Sequence, residues 1–190
     1  MYSHYTALYD ACVLYPAPLR DVLMQLALTD LFRAKWTDQI HDEWMRNVLK
    51  NKPHLNSEQL TRTKNLMNSC VRDCLITGYE SLIPSLQLPD SKDCHVLAVA
   101  IRGGVDVIIT FNEKDFPKQI LLPYDIEVQH PDDFIACVMD LRQAKVAEAI
   151  ESVRKRLRNP PKTKEEYFKI LLQQRLPVTV SMLRELGDEI

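Results

Sequence analysis

Glycine is scarce, with four residues in 190. That excludes a Gly-rich phosphate cradle, and with it nucleotide binding through a P-loop or a Rossmann turn. Cysteine is present but forms no framework. Cys12, Cys70, Cys74, Cys94 and Cys137 are an odd, scattered set. Cys70 and Cys74 sit four apart, with no second Cys or His pair at zinc spacing. This usage fits a reduced, cytoplasmic protein with buried thiols. The five histidines, His4, His41, His54, His95 and His130, make no metal cluster by spacing either. No apolar stretch approaches the roughly 18 residues of a membrane span. The opening MYSHYTALYD lacks the basic-then-apolar order of a secretory signal. Repeats and low-complexity tracts are missing as well.

What the chain does have is a globular balance, 46% hydrophobic and 26% charged, and enough length for one domain with an appendage. Its formal net charge of −2 is unevenly distributed. From Arg142 to Lys169 nine Lys/Arg face four Glu, a local +5, so the remainder carries −7. An acidic part and a basic part are expected to do different things.

YTALYDACVLYP reads as a strand of about five residues ending at Asp10, and PAPLRDVLMQLALTDLF as a helix with Pro18 in its first turn. FRAKW reads as a second short strand. Thr37 is the expected N-cap of TDQIHDEWMRNVLKN, and Asn56 or Ser57 opens a helix through Leu60, Met67, Val71 and Leu75. His95 to Ile101 forms a helix ended by Gly103 or Gly104. VDVIITF, apolar throughout, is the mark of a strand buried on both faces. IEVQH is a last strand, and Pro131 opens a helix running through RKRLR until Pro160 and Pro161 stop it. Two shorter helices follow, around EEYFKILLQQ and VSMLRELG. The order predicts an α/β layered fold with a mainly parallel sheet.

In such folds sites form at the carboxyl ends of strands, and the acids fall there. Asp10 ends the first strand. Asn112 ends VDVIITF, with Asp115 three residues on; Asp90 and Asp93 precede the helix feeding that strand; Glu43 lies on an early helix beside Asp42. Gathered carboxylates repel one another unless a cation neutralises them. Oxygen ligands without a Cys or His set suit Mg²⁺ or Mn²⁺. Taken singly, Asp90 or Asp93 reads as a helix cap, Glu43 as a solvated helix residue, and Asn112 and Asp115 as turn residues. Asp10 is harder to dismiss, because a lone buried acid is costly. His41 reads as surface, His95 as packed or hydrogen-bonded, Trp36 and Trp44 as core, and Cys12 as small and buried.

YTALYDACVLYP, WTDQIHDEWMRNVL and LPDSKDCHVLAVAIRGGVDVIITFNEKDFP together resemble the PIN domain, closest to toxin ribonucleases of the VapC type. The resemblance covers about residues 5 to 135. The tail resembles the C-terminal region of one subgroup of these toxins. It implies a three-layer α/β/α sandwich, with a PIN-like nuclease domain over residues 1–135 and a C-terminal helical extension over residues 136–190. It further implies an Mg²⁺- or Mn²⁺-dependent endoribonuclease acting as the toxin of a toxin–antitoxin pair, with RNA as substrate, a cognate antitoxin as partner and a homodimer as assembly. Residue by residue, Asp10, Glu43 and Asp93 match the family's catalytic, metal-holding acids. Where the family often has an aspartate, this chain has Asn112, and Asp115 is the alternative supplier of that charge. Asp90 is auxiliary, and Thr110 is placed to hydrogen-bond an acidic ligand or a phosphate.

The basic stretch Arg154, Lys155, Arg156 and Arg158, with Lys162 and Lys164 beyond, reads either as a phosphate-backbone contact or as a solvated helix face. A phosphotransfer fold with an aspartyl nucleophile is disfavoured, because Cys12 stands where a second acid belongs. A catalytically weak PIN-fold binding module in a regulatory complex is the alternative that Asn112 keeps open.

Overall fold

The shortest elements of the chain make its centre. In the computed structural model, which describes residues 5–187, four strands form one sheet: β1 (Thr6–Tyr9), β2 (Arg33–Lys35), β3 (Val107–Ile109) and β4 (Glu127–Gln129). Their order is β2-β1-β3-β4, and every pairing is parallel. Register sets Ala7 against Ala34 on one side and Val107 on the other, and Ile109 against Gln129. Parallel strands need crossover helices, which cover both faces and make central strands apolar throughout. Ala7, Leu8, Tyr9, Val107, Ile108 and Ile109 are all fully buried. Each such aliphatic side chain contributes roughly 1.5–3 kcal/mol on burial.

The helices are α1 (Ala11–Leu14), α2 (Ala17–Ala27), α3 (Asp38–Asn51), α4 (Ser57–Cys70), α5 (Cys94–Gly103), α6 (Lys118–Leu121), α7 (Pro131–Arg156), α8 (Lys164–Gln173) and α9 (Pro177–Glu185). α2, α7, α8 and α9 pack together, and α3 packs on α4. This is the expected α/β sandwich with a helical extension, its sheet wholly rather than mainly parallel. The extension has no core of its own: Ile150, Phe168, Leu171 and Val180 belong to the same buried cluster as the sheet. α7 crosses residue 135 without a break and kinks at Arg142.

Local chemistry explains the helix ends. The Thr37 side chain accepts from the Ile40 N–H, and Asn56 and Gln59 form a reciprocal capping box. Gly104 takes the left-handed φ of +56° that ends α5. Beside it, a Cβ on Gly103 would fall 2.3 Å from the tip of the Ile76 side chain, which would have to move aside.

Three expectations are corrected. α4 stops at Cys70 rather than running to Leu75, because Asp73 turns the chain at φ +52°. The Trp36 N–H then donates to the Cys74 carbonyl and the Ile76 N–H to the Trp36 carbonyl, which lays Leu75 alongside Trp36 at the sheet edge. His41 is fully buried, not surface: its ring meets Asn68 at 3.0 Å and accepts from the Trp44 indole at 3.0 Å. Burial holds its pKa below the ordinary histidine value. The thiols are not uniformly buried, since Cys70 and Cys137 are exposed, although all five are free. Trp36 and Trp44 are core residues as expected, and Trp36 stacks on Tyr9 with centroids 6.1 Å apart. His4 lies outside the described residues. Among the described residues no helix is long and apolar enough to cross a membrane.

Candidate active site

The strand order locates the site before any side chain is considered. From β1 the chain crosses to β2 on one side, whereas β3 leads to β4 on the other, so the order reverses between β1 and β3. At such a switch point adjacent loops diverge and leave a crevice at the carboxyl ends. Asp10 follows β1 there, and Thr110 to Asn112 follow β3.

Asp10 is buried and firmly held. Its Oδ1 accepts from the Ala11 N–H at 2.6 Å, at the start of α1. Its Oδ2 accepts from the Thr110 hydroxyl at 2.7 Å and the Cys12 thiol at 3.1 Å. The Asn112 N–H in turn donates to the Thr110 hydroxyl at 3.1 Å, and the Phe111 N–H to the Cys12 sulfur at 3.3 Å. This network joins the exits of β1 and β3 and fixes the carboxylate's orientation. Cys12 is therefore more than small filler. Burial and the neighbouring Asp10 charge push its thiol pKa well up, so it stays protonated and donates. Its place two residues after Asp10 was the available signal, but no periodicity showed that it would turn back onto the acid.

Asp93 behaves differently. It occupies the N-cap position of α5, yet its side chain makes no capping hydrogen bond, while Asp90 accepts from the Lys92 N–H at 2.9 Å. The capping reading thus fits Asp90 and not Asp93. Burial, then the charges of Asp10, Asp90 and Asp115, raise the Asp93 pKa from 3.8 to about 6, against a smaller opposing effect of His95. Asp10 and Asp115 from two other segments, and Asp90 from the same turn, therefore bear on this one carboxyl. Asp10, Asp93 and Asp115 form no ion pair with Lys or Arg among the described residues.

Glu43 points to the same helix start by another route. Its carboxylate lies 2.9 Å from the His95 Nε2, two residues beyond Asp93. His95 is packed and hydrogen-bonded, as expected, and its Nδ1 is buried without a partner. Asp115 sits on a single 3-10 turn (Glu113–Asp115), its N–H donating to the Asn112 carbonyl. Asp42 is turned toward Lys64, 3.9 Å away.

The donor chemistry fits a hard divalent cation: carboxylates from several segments, of which Asp10, Asp93 and Asp115 have no Lys or Arg partner among the described residues. The arrangement is open rather than closed. Among the described residues no group of three or more His, Cys, Asp or Glu is positioned to hold an ion. An ion there would be bound through one or two carboxylates and water, which is how Mg²⁺ is commonly held.

The basic stretch is not gathered with these acids. Arg154 and Lys155 pair with Glu151 at 3.1 Å each, and Arg154 also donates to the Lys162 carbonyl. Arg156 reaches Gln25 in the last turn of α2. Arg158 follows the end of α7. A hollow of about 580 Å³ lies elsewhere again, at the outer edge of β2, lined by Phe32, Arg33, Lys35, Cys70, Arg72 and neighbours, and holds none of the predicted acids.

The family profile of the PIN domain matches residues 6–114, more than half of the chain, and that of the VapC50 C-terminal domain matches residues 131–185. The chain belongs to the PIN-domain family. Within that class it is related to VapC50 and carries the VapC50 C-terminal domain. It is 37% identical over 97 residues to the candidate ribonuclease VapC50 of Mycobacterium tuberculosis, a match covering 51% of this chain and 57% of that one. The matched segment thus spans little more than half the relative's length. No solved structure matches the chain.

Proposed function

We propose that the protein is a metal-dependent endoribonuclease, the toxin of a toxin–antitoxin pair. The single observation that carries this reading is the charge built up around Asp93. A half-buried carboxyl near three like charges, opposed only by His95, supports a cation joining it. The relationship to a candidate ribonuclease supports the same class of chemistry.

Asp10 and Asp93 would hold Mg²⁺ or Mn²⁺, with Asn112 or Asp115 completing the set and Glu43 beside a second position. Bound there, such an ion supplies water activation and neutralises charge on the phosphoryl group. The chain's own residues do the positioning. Thr110 and Cys12 fix the Asp10 Oδ2, Ala11 fixes its Oδ1, and Asn112 is tethered through its N–H to the same hydroxyl. His95 anchors Glu43 next to the start of α5. The scissile phosphodiester would lie across the β1 and β3 exits, in line with water, and no covalent enzyme intermediate is needed. Arg154, Lys155, Arg156 and Arg158 would contact RNA phosphates outside the acidic groove. A cognate antitoxin covering the groove, and pairing of two copies, complete the proposal.

The test is RNA cleavage by the wild type, Asp10→Asn and Asp93→Asn, each with Mg²⁺ or Mn²⁺ and with chelator. Cleavage that requires the ion and both carboxylates supports the reading. Cleavage indifferent to chelation or to both substitutions refutes it. A second reading, a catalytically weak binding module, draws on Asn112 and on the open ligand set. Specific RNA binding without ion-dependent cleavage would favour it.

A further inference from the structure

Arg175, in the C-terminal extension, lies over Phe111 at the exit of β3. Three observations converge on it. The first is conformational. Arg175 ends α8 with a left-handed φ of +65°; its N–H donates to the Leu172 carbonyl at 3.0 Å, and the Leu176 N–H reaches the Leu171 carbonyl. That helix-ending turn is the place where glycine costs least and a side chain is strained.

The second is position. The Arg175 guanidinium lies over the Phe111 ring, 5.0 Å from its centroid. Phe111 stands between Thr110, which orients Asp10, and Asn112, and its own N–H holds Cys12. The exposed Arg175 has no carboxylate partner among the described residues. Stacked on an aromatic face, a guanidinium keeps its fork of donors free for a planar or anionic ligand.

The third is how the turn is held. Asp132, buried in the first turn of α7, accepts from the Val178 N–H at 2.8 Å, the Thr179 N–H at 2.8 Å and the Thr179 hydroxyl at 2.7 Å. It thereby pins the start of α9 beside the end of β4. The Asp132 N–H donates to His130 Nδ1 at 3.1 Å, and the His130 ring packs edge-on against Phe111 with centroids 5.2 Å apart. The turn carrying Arg175 is thus registered to the β3 and β4 exits from both sides.

We propose that Arg175 is a phosphate-binding residue of the RNA groove, delivered by the extension to the carboxyl edge of the sheet. This rests on the ribonuclease reading for the identity of the polyanion. At the β3 exit, a cation with no carboxylate partner among the described residues gives the RNA backbone an attachment point that carboxylates cannot provide.

The test uses the full chain with EDTA present, so that cleavage does not enter. Binding of a fluorescein-labelled single-stranded RNA oligonucleotide is followed by anisotropy across a salt series, alongside melting temperatures, for wild type, Arg175→Gly and Arg175→Lys. Arg175→Gly is expected to melt at or above the wild-type temperature, because glycine relieves the turn. It should bind RNA about tenfold more weakly, with a log K against log salt slope shallower by about 0.7. Arg175→Lys should restore the slope. Unchanged affinity and slope in Arg175→Gly would overturn the proposal. So would a lowered melting temperature with an unchanged slope, which would mark Arg175 as only a docking contact. If the slope depends on Arg175 but the wild type never cleaves RNA with Mg²⁺ or Mn²⁺, the ribonuclease reading fails and the binding role stands. A wild type that does not bind RNA at all overturns both.

Discussion

Two aspartates at the starts of two helices have opposite fates. Asp132 opens α7 and is consumed by structure: three donors from α9 converge on its carboxylate. Asp93 opens α5 and accepts no capping hydrogen bond, while burial and three neighbouring acids oppose its charge. The same residue type, near the start of a helix each time, closes a tertiary junction in one place and leaves a charge unanswered in the other. A satisfied carboxylate contributes stability. An unsatisfied one near like charges costs stability, and the fold retains it at the start of α5.

Substitutions can break or sharpen that contrast. The largest effect is expected at the acidic edge: Asp10→Asn should lower ion-dependent RNA cleavage by roughly a hundredfold or more, measured with purified protein under single-turnover conditions. Next is Asp132→Ala, which leaves the Val178 and Thr179 N–H groups without their acceptor. It should cost about 2–3 kcal/mol of unfolding free energy, read from the denaturant midpoint. Thr110→Val removes the hydroxyl that orients Asp10 and should weaken Mn²⁺ binding by roughly tenfold or more, measured by calorimetry, and lower the melting temperature, because the Asn112 N–H loses its acceptor.

The smallest effect has the opposite sign. The Asp93 carboxyl titrates near 6 in the fold and near 3.8 when unfolded. Between those values the folded state binds more protons, so stability falls as pH rises from about 4 to about 6 and is flat above. In metal-free buffer, Asp93→Asn should remove that slope. At pH 7 it should stabilise the protein by about 1 kcal/mol after discounting a half-buried group for solvent screening. A destabilised Asp93→Asn would place Asp93 with Asp132 among structural residues and dissolve the contrast.

Much of this architecture was legible in the residues. VDVIITF announced a strand buried on both faces, Thr37 and the Asn56–Ser57 pair announced helix starts, and the Gly103–Gly104 pair announced a helix end, because each is a local property of the backbone or of hydrophobic burial. The acids could be placed at strand exits for the same reason. What could not be read was which carboxylate a neighbour would answer. Asp90 and Asp93 are equivalent as caps until the 3-10 turn Ser91–Asp93 assigns the job to Asp90. His41 looked solvent-facing because its helix neighbours are polar, yet Asn68 and Trp44 close around it. Leu75 fitted a helical stripe, and only pairing with Trp36 drew it into the sheet edge. Arg175 carried no signal at all, since its meaning comes from Phe111, 64 positions earlier.

The outer margin of β2 has a consequence for how copies of this chain meet. The Arg33 N–H is engaged inward with Tyr5, and Trp36 is paired outward with Cys74 and Ile76. Residues alternate sides along a parallel strand, so within β2 only Ala34 turns its amide toward the hollow, flanked by the cations of Arg33 and Lys35. A single rung gives a foreign strand too little purchase to propagate stacking, and charges beside it discourage a like-charged copy. The outer margin of β2 is thereby guarded against ribbon-like polymerisation.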